Sequence, residues 1–357
     1  MGRCKMILLS SIIKQFESSY KAKYSPLPSH LAAINAMKNC RNSASPQLFA
    51  QCKGCDNHTL FPHSCGHRNC PHCQAHESQL WIENQLKRQV PANYFMVTFT
   101  LPKELRDTAW RNQKLFYNLM FECSNNTLQT FTKNDKKLGG TAGLMSVLHT
   151  HARNLDYHPH VHIIIAAASI NQRTKSWKIK NGKYLFNHKA LAKVFRGKIL
   201  SKLVELKIKP PTISNKWIVD CKFVGKGNKA IVYLGRYLYR GVVREKDIIN
   251  CKNGMVTYRY QNSKTKKYQY KTVTGEYFLC LIMQHVLPKG FRRARNYGFV
   301  HPNCKRMIAL IHYTLKFIPT IFERKKRPEI LCKCCGAVME IVRTQIKRTL
   351  VFELVPI

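Results

Sequence analysis

Histidines in the segment that begins at His158 have the spacing of a metal-binding strand. The segment reads HPHVHIIIAAA, so a polar start runs directly into an apolar stretch. Side chains two residues apart on a strand point to the same face, and His160 and His162 are therefore predicted to project together. Two imidazoles are a ready chelate for a divalent metal ion, and an open site of this kind activates a substrate oxygen or a phosphate.

A site with two histidines needs a further ligand, and three neighbouring histidines are candidates. The preceding apolar stretch ends in LHTH, which contains His149 and His151. A hairpin would bring this end beside His160 and His162, and we prefer His149 as the third ligand on that ground. His151 and His158 stay open as alternatives. So does a simpler interpretation, in which the histidines only pack on a half-polar face.

Two tyrosines four residues apart lie in a second candidate segment, IVYLGRYLYR, which covers residues 231–240. On a helix, Tyr233 and Tyr237 share one face, one turn apart, and Tyr239 falls on another. Tyrosine pairs at this spacing are most often interface or core residues. Close to a metal ion that polarises a phosphodiester, however, a phenolic oxygen is a competent nucleophile, and its attack leaves a covalent phosphotyrosine. Tyr233 and Tyr237 are therefore the predicted catalytic residues.

Cysteines and histidines are concentrated between residues 52 and 76, where five of the 15 cysteines and five of the 15 histidines lie. Two CxxC pairs stand out, Cys52 with Cys55 and Cys70 with Cys73. Each pair offers two thiolates on one side of a tight bend, and four thiolates complete a closed tetrahedral zinc site whose role is structural. The sequence predicts one such Zn²⁺ site. The spare candidate ligands are Cys65, His63, His67 and His72.

Another CxxC pair, Cys332 with Cys335, lies near the C-terminus. It has the form of half a zinc ribbon, and no matching CxxC pair stands close to it in the sequence. Cys304 together with His301 is a candidate for the second half, which would make a second zinc site across a helix, and the role of the C-terminal cysteines stays open.

The elements that must position these residues alternate between strands and helices. Apolar and β-branched runs predict strands, and a hairpin is expected between the two strands that carry the histidines. Residues 1–45 are predicted to be helical, and residues 46–78 show no periodic stretch. The fold class is therefore α+β. The predicted strands include residues 94–100, 144–149, 160–166 and 217–224, with small hairpins at 174–186 and 255–273; the main later helices are predicted near 103–128, 189–206, 228–240 and 276–285.

The amino-acid composition predicts that this chemistry acts on an anionic partner. The 357 residues include 60 Lys and Arg against 18 Asp and Glu, a formal net charge of +42, while 45% hydrophobic content indicates a folded protein. Nucleic acid is the commonest partner for such a surface, and an ordinary enzyme for a small neutral substrate is excluded as improbable. No apolar run reaches the roughly 18–20 residues that span a bilayer, so no membrane partner is expected. The start lacks a signal-peptide cleavage site, and a cytoplasmic protein is predicted.

Two stretches rich in arginine, lysine and tyrosine are the predicted DNA surface, residues 258–271 and 291–299. Single-stranded nucleic acid is held by basic grooves with aromatic platforms for the bases. The alternative is a solvated basic surface with no partner. The predicted DNA-binding residues are Tyr258, Arg259, Lys267, Arg292, Arg293 and Arg295.

Taken together, the motifs resemble the HUH-type rolling-circle transposases of the insertion sequence 91 family, two-tyrosine bacterial enzymes with an N-terminal zinc-binding domain. The order and spacing of the matching segments make the resemblance far more specific than any one motif. The segments are CRNSASPQLFAQCKGC (residues 40–55), HSCGHRNCPHCQ (63–74), YFMVTFTLPKELR (94–106), LHTHARNLDYHPHVHIII (148–165), YLGRYLYR (233–240) and LPKGFRRARNYGF (287–299).

The resemblance implies an antiparallel-sheet HUH core with flanking helices and a small helical, zinc-binding N-terminal domain. It implies that His160 and His162 hold Mg²⁺ or Mn²⁺ and that Tyr233 and Tyr237 are the nucleophiles. The implied reaction cleaves one DNA strand to a 5′-phosphotyrosine and a free 3′-hydroxyl, at single-stranded element ends and a target site. The predicted domains are 1–90 (helical and zinc-binding), 91–300 (catalytic) and 301–357 (basic C-terminal region), in a protein that associates with the nucleoid when bound to DNA.

Two rival functions are open from the sequence. One is a zinc-dependent DNA-binding protein with no chemistry, for which both tyrosines would be dispensable. The other is a metallohydrolase that uses the histidine site with water as the nucleophile, whose products would carry no protein. The three hypotheses differ in whether cleaved DNA becomes covalently attached to the chain.

Overall fold

The structure, a computed structural model, describes residues 6–42, 45–171, 173–239, 241–262, 265–325 and 329–345. Arg240, which ends the predicted tyrosine segment, and residues 346–357 of the predicted C-terminal region lie outside the described residues. The helices are α1 (Leu9–Lys23), α2 (Pro28–Lys38), α3 (Ala75–Leu86), α4 (Arg106–Arg111), α5 (Gln113–Asn134), α6 (His188–Glu205), α7 (Asn228–Leu238), α8 (Gly275–Met283) and α9 (Lys305–Thr314). The strands are β1 (Gln47–Cys52), β2 (His58–Pro62), β3 (Tyr94–Thr100), β4 (Thr141–His151), β5 (Tyr157–Asn171), β6 (Ser176–Ile179), β7 (Val219–Phe223), β8 (Ile248–Lys252), β9 (Met255–Gln261), β10 (Tyr268–Thr274), β11 (Ala294–Tyr297) and β12 (Met339–Gln345).

The strands form antiparallel sheets with helices packed around them, which confirms the predicted α+β class. The central sheet has the strand order β11-β4-β5-β3-β7, and β6 extends it by pairing with β5. Two three-stranded sheets accompany it, β12-β1-β2 and β10-β9-β8. Among the described residues, no helix is both long and apolar enough to cross a membrane.

The two faces of strand β5 bury different helices. Val161, Ile163 and Ile165 face the core cluster that contains α5 and α6. Ile164 and Ala166 face the opposite cluster, which contains α3 and α7. Burying one such aliphatic side chain contributes roughly 1.5–3 kcal/mol, so the alternation fixes which face of the sheet each residue occupies. His160 and His162 have the same parity as Ile164, and they therefore lie on the α7 side.

The N-terminal helices pack against the second small sheet rather than standing apart. Ile13 of α1, Ile34 of α2 and Phe278 of α8 belong to one buried cluster with Val256 of β9. The predicted hairpin of residues 255–273 is present as β9 and β10, with β8 as a further strand that the sequence analysis missed. The N-terminal region thus forms part of the support for the loop that precedes β5, since Leu155 also belongs to this cluster.

Two predictions of local structure are wrong. Residues 46–78 contain the strands β1 and β2, which pair along their whole length. Residues 174–186 do not form a hairpin of their own, because β6 pairs instead with the end of β5, where Ile170 lies opposite Trp177. In addition, β12 pairs with β1, so part of the predicted C-terminal region lies with the N-terminal module.

Candidate metal and tyrosine site

Strand pairing brings three histidines of β4 and β5 together. His149 lies directly opposite His160 in the antiparallel register, and His162 follows two residues further along the same face. One nitrogen from each ring lies within 4.8 Å of the others. Their ring centroids are 4.6 to 5.2 Å apart. The hairpin geometry thus selects His149, of the three candidates, as the histidine beside the pair.

Neighbouring groups orient these imidazoles. His160 Nδ1 lies 2.7 Å from the carbonyl oxygen of His158 and donates to it, which leaves the Nε2 lone pair of His160 free. His162 Nδ1 lies 2.8 Å from Thr98 Oγ1 on the adjacent strand β3. His149 Nε2 is buried and has no hydrogen-bond partner among the described residues. A buried nitrogen without a partner is costly unless a ligand satisfies it, and outer hydrogen bonds of this kind typically orient metal-binding imidazoles.

Burial keeps the three rings neutral. It lowers the pKa of His160 to about 3, and the neighbouring His162 adds to the effect. It lowers the pKa of His162 to about 4, against a small opposing contribution from Asp220. The pKa of His149 falls well below its ordinary value for the same reason, and His162 contributes again. Neutral imidazole is the form that coordinates metal ions.

The other two candidate ligands have different contacts. His158 accepts a hydrogen bond at Nδ1 from the Arg106 guanidinium, 2.6 Å away. His151 follows a bulge in β4, which moves it out of step with His149. Its Nε2 lies 2.9 Å from the hydroxyl of Tyr237. These contacts direct both side chains to partners outside the three-histidine group.

Helix α7 carries the two tyrosines over the histidines. Its buried face, which includes Ile231 and Leu234, packs into the cluster on the histidine side of the sheet. Gly235 allows α7 to approach α3, because a Cβ there would lie 2.3 Å from Ile82 Cγ1. The opposite side of the helix carries Tyr233 and Tyr237, which line a cavity. The apolar face of α7 therefore sets the orientation of the helix, and this orientation determines where the two tyrosines lie.

The two tyrosines occupy different environments. The ring of Tyr237 lies 4.1 Å from that of His149, centroid to centroid, and its hydroxyl is hydrogen-bonded to His151. Tyr233 is 49% exposed, and its ring centroid is 6.0 Å from that of Tyr237. Tyr237 is thus the inner tyrosine, against the histidines, and Tyr233 is the outer one.

A cavity of about 470 Å³ contains both groups. Next to it lies a second cavity of about 310 Å³, which both tyrosines also line. Arginines and tyrosines from neighbouring loops and from β9 and β10 line these cavities. Lining residues outside the predicted DNA surface are Arg153, Arg244 and Asp247, while Tyr260 and Tyr268 lie within the predicted stretch of residues 258–271.

The predicted DNA-binding residues divide into exposed and buried groups. Arg292 and Lys267 are exposed. Arg259 lines the smaller cavity, stacks over Tyr268 at 4.9 Å and forms an ion pair with Asp247 at 3.2 Å. Tyr258, in contrast, is only 1% exposed. Alternation along β9 turns its side chain toward the core, which argues against its predicted role as a base platform.

Arg293 and Arg295 are half-buried and make contacts within the protein, which argues against their predicted role as DNA contacts. Arg293 donates to the carbonyl oxygen of Leu148 at 3.0 Å and to that of Leu238 at 3.1 Å. Burial lowers its pKa to about 10, so it is still charged at neutral pH. It ties β4 to the end of α7. The Arg295 guanidinium stacks over the ring of Phe121 at 4.3 Å.

The cysteines form two groups, and the predicted single site is wrong. Cys52 and Cys55 lie at the tip of the β1–β2 hairpin, whereas Cys70 and Cys73 lie beyond its base. Strands of five or six residues extend roughly 17–20 Å, so the two pairs cannot share one ion. In the group that contains Cys70 and Cys73, neighbouring sulfur atoms are 3.6 to 3.7 Å apart. The groups are Cys40, Cys65, Cys70 and Cys73, and Cys52, Cys55, Cys332 and Cys335.

The partners of the C-terminal CxxC pair differ from the candidate pair Cys304 and His301. Cys332 and Cys335 meet Cys52 and Cys55, while Cys304 belongs to neither group of cysteines that the structure describes. Cys40 was also missed, although it opens one of the family-like segments. Its sequence signal was weak, because a single cysteine 25 residues before Cys65 has no chelating spacing of its own.

The described residues thus combine an antiparallel sheet, three histidines beneath a two-tyrosine helix, and two groups of cysteines that could each hold a metal ion. Comparison with known proteins names the family. Residues 12–101 match the family model for the transposase zinc-binding domain of insertion sequence 91 elements, and residues 143–307 match the model described as "Putative transposase". Together with two curated relatives, the two matches support an insertion sequence 91 family transposase and a role in DNA transposition.

Two curated relatives extend along most of the chain. "Putative transposase y4qJ" of Sinorhizobium fredii (strain NBRC 101917 / NGR234) is 26% identical over 317 residues, which cover 82% of this chain and 80% of the relative. The "Transposase for insertion sequence element IS801" of Pseudomonas savastanoi pv. phaseolicola is 26% identical over 297 residues, which cover 74% of this chain and 70% of the relative. The resemblance noted from the motifs is confirmed, and the zinc-binding match supports structural zinc.

Proposed function

We propose that this transposase nicks and transfers single DNA strands by tyrosine attack, with a 5′-phosphotyrosine intermediate, in rolling-circle transposition. One observation carries the proposal: the ring of Tyr237 lies 4.1 Å from that of His149, in the cavity that also holds His160 and His162. A candidate nucleophile and a candidate metal site thus face the same cavity. Tyrosine attack requires a tyrosine at this place, whereas water-only hydrolysis and simple DNA binding do not.

The donor set fits a divalent metal ion. Three neutral imidazoles converge, and His149 Nε2 has no other partner among the residues described. We propose His149, His160 and His162 as its ligands. Mg²⁺ and Mn²⁺ favour oxygen ligands, which phosphate and water would contribute beside the imidazoles. Once bound, the ion would polarise the scissile phosphate.

Tyr237 is the first nucleophile in this proposal. Its hydroxyl is held by the hydrogen bond with His151 Nε2, which orients the phenolic oxygen toward the cavity. Attack of that oxygen on phosphorus forms the bond between tyrosine and the 5′-phosphate. The bond to the 3′-oxygen breaks, its electron pair stays with that oxygen, and protonation gives a free 3′-hydroxyl. Tyr233, at the outer side, would take the second strand.

The DNA strand would approach across the basic and aromatic rim. Arg153 and Tyr260 line both cavities, and Tyr268, which is 50% exposed, stands beside them. Exposed aromatic rings beside arginines are the features that hold single strands. Arg259, Lys267 and Arg292 are retained as proposed DNA contacts.

The proposed catalytic unit covers residues 91–300, with residues 1–90 as the zinc-binding module. Part of the region 301–357 is assigned to that module because β12 pairs with β1. The proposed order of the two tyrosines rests on their positions relative to the histidines. The proposed extent of the zinc-binding module rests on the pairing of β12 with β1.

A covalent-capture experiment tests the proposal. The protein is incubated with labelled single-stranded DNA from the ends of its own element and with Mn²⁺, and the products are separated on a denaturing gel. We expect a DNA-linked protein band that requires His160, His162 and Tyr237. Tyr239→Phe is a matched control, since Tyr239 lies on the same chain segment outside both tyrosine cavities. Cleavage without the band would support the hydrolase, and binding without cleavage would support the silent DNA-binding protein.

A further inference from the structure

The cysteines at the tip of the β1–β2 hairpin meet a distant part of the chain. Cys52 Sγ lies 3.4 Å from Cys335 Sγ, and Cys55 Sγ lies 3.8 Å from Cys332 Sγ. The paired residues are 283 and 277 positions apart in sequence. The family model for the zinc-binding domain ends at residue 101, so it does not contain two of these four cysteines.

The sulfur separations are those of a shared ion. Zinc–sulfur bonds of about 2.3 Å in a tetrahedron place neighbouring sulfur atoms about 3.8 Å apart. A disulfide requires about 2.05 Å. All four sulfur atoms also lie within 4.8 Å of one another, which two separate disulfides would not require.

The backbone around these cysteines has the form of two facing knuckles. The Gly54 N–H donates to Cys52 Sγ at 3.2 Å, and the Cys334 N–H donates to Cys332 Sγ at 3.4 Å. Each bond spans two residues within a CxxC turn, so the two halves use the same geometry. Hydrogen bonds to sulfur stabilise the thiolate form, which is the form that binds metal.

Side chains complete this arrangement. The Asn57 amide donates to Cys332 Sγ at 3.1 Å, across the two halves. Gly54 lets the knuckles meet, because a Cβ there would lie 2.9 Å from the Cβ of Ala337 and 3.4 Å from Cys335 Sγ. The two turns are therefore packed together around the sulfur atoms rather than merely near each other.

The apolar core of this unit is too small to hold it alone. Its fully buried members include Ala50 and Met339 besides two of the cysteines themselves. Small modules of this kind generally need a metal ion or a disulfide, and metal binding then supplies folding free energy. Lys53 and Glu340 add only an exposed ion pair at 3.1 Å, which contributes little.

We propose that Cys52, Cys55, Cys332 and Cys335 bind a second structural Zn²⁺, separate from that of Cys40, Cys65, Cys70 and Cys73. This ion closes a zinc ribbon from two parts of the chain and fastens β12 to β1. The N-terminal module is then complete only when residues 330–345 are in place. Nothing in this inference depends on the tyrosine chemistry.

Zinc content tests the proposal on the full chain. Elemental analysis of the purified protein is expected to give two Zn²⁺ per chain. The double variant Cys332→Ser with Cys335→Ser should retain one, and Cys65→Ser with Cys70→Ser should also retain one. Cys304→Ser, a cysteine outside both groups, is the matched control and should retain two. One Zn²⁺ in the unaltered protein, or two in the Cys332/Cys335 variant, would overturn the proposal.

A second measurement needs no variant. Alkylation of the native protein followed by peptide mass spectrometry should find all eight cysteines of the two groups protected, with protection lost after chelation. Disulfide-linked peptides joining Cys52 or Cys55 to the C-terminal pair would contradict the metal site. Trypsin should release the segment after residue 315 from the Cys332/Cys335 variant faster than from Cys304→Ser.

Discussion

Replacement of Tyr237 by phenylalanine separates the chemical role of this residue from its packing. The substitution removes one oxygen, while the ring that contacts His149 is kept. The lost hydrogen bond to His151 is worth about 0.5–1.5 kcal/mol. His151 lines the open cavity, so water can satisfy its Nε2. We therefore expect a melting temperature within a few degrees of the unaltered protein.

The expected effect on chemistry is far larger. Without the phenolic oxygen, the covalent bond to the 5′-phosphate cannot form at this position, and removal of a nucleophile typically lowers a rate by at least about 10³-fold. Tyr233→Phe removes an oxygen from a half-exposed ring at the mouth of the cavity. It should leave the first cleavage within a few-fold of normal and block the second strand transfer.

The assay is the covalent capture of labelled single-stranded element ends, followed in time with Mn²⁺. Tyr237→Phe should lose the DNA-linked band, Tyr233→Phe should keep it, and Tyr239→Phe should match the unaltered protein. The reasoning is refuted if Tyr233→Phe loses the first adduct while Tyr237→Phe keeps it. Equal adduct in both single variants would refute it too, because position against the histidines would then not decide the order.

Three further predictions follow from the described contacts. Mn²⁺ is expected to raise the melting temperature of the unaltered protein and not that of His149→Ala, and an equal rise in both would exclude His149 as a ligand. Gly235→Ala should destabilise the fold by about 1–3 kcal/mol, measured by urea unfolding, because its Cβ would meet Ile82 Cγ1 at 2.3 Å; a neutral effect would show that α7 and α3 are not in close contact. DNA affinity should fall about 10³–10⁵-fold between 50 and 200 mM salt if six to ten phosphates are neutralised, and a shallow dependence would contradict the basic DNA surface.

The parts of the site that depend on residues close together in the sequence could be predicted from the sequence alone. The two-residue spacing of His160 and His162 sets a common face on any strand, and the four-residue spacing of the tyrosines does the same on any helix. The hairpin that adds His149 was also predictable, since the two strands are joined by a short polar turn. The high positive charge indicated nucleic acid in the same way, as a property of composition.

Residues in the basic stretches were harder to assign. Tyr258, Arg293 and Arg295 have the composition of a DNA surface, yet they are used for internal packing and hydrogen bonds. A sequence shows that a residue is basic or aromatic, but solvent exposure depends on which face of a strand is covered by another element. For Tyr258, that cover comes from the N-terminal helices and α8.

The sequence by itself determined which short candidate chelating and nucleophilic units this protein possesses, because the geometry of HxH, CxxC and YxxxY is set within one turn or one strand. Only the tertiary structure decided which units meet. Cys55 reaches Cys332 across 277 residues, and Tyr237 reaches His151 across 86. Such contacts depend on strand register and helix packing summed over the whole core, and no local spacing encodes them.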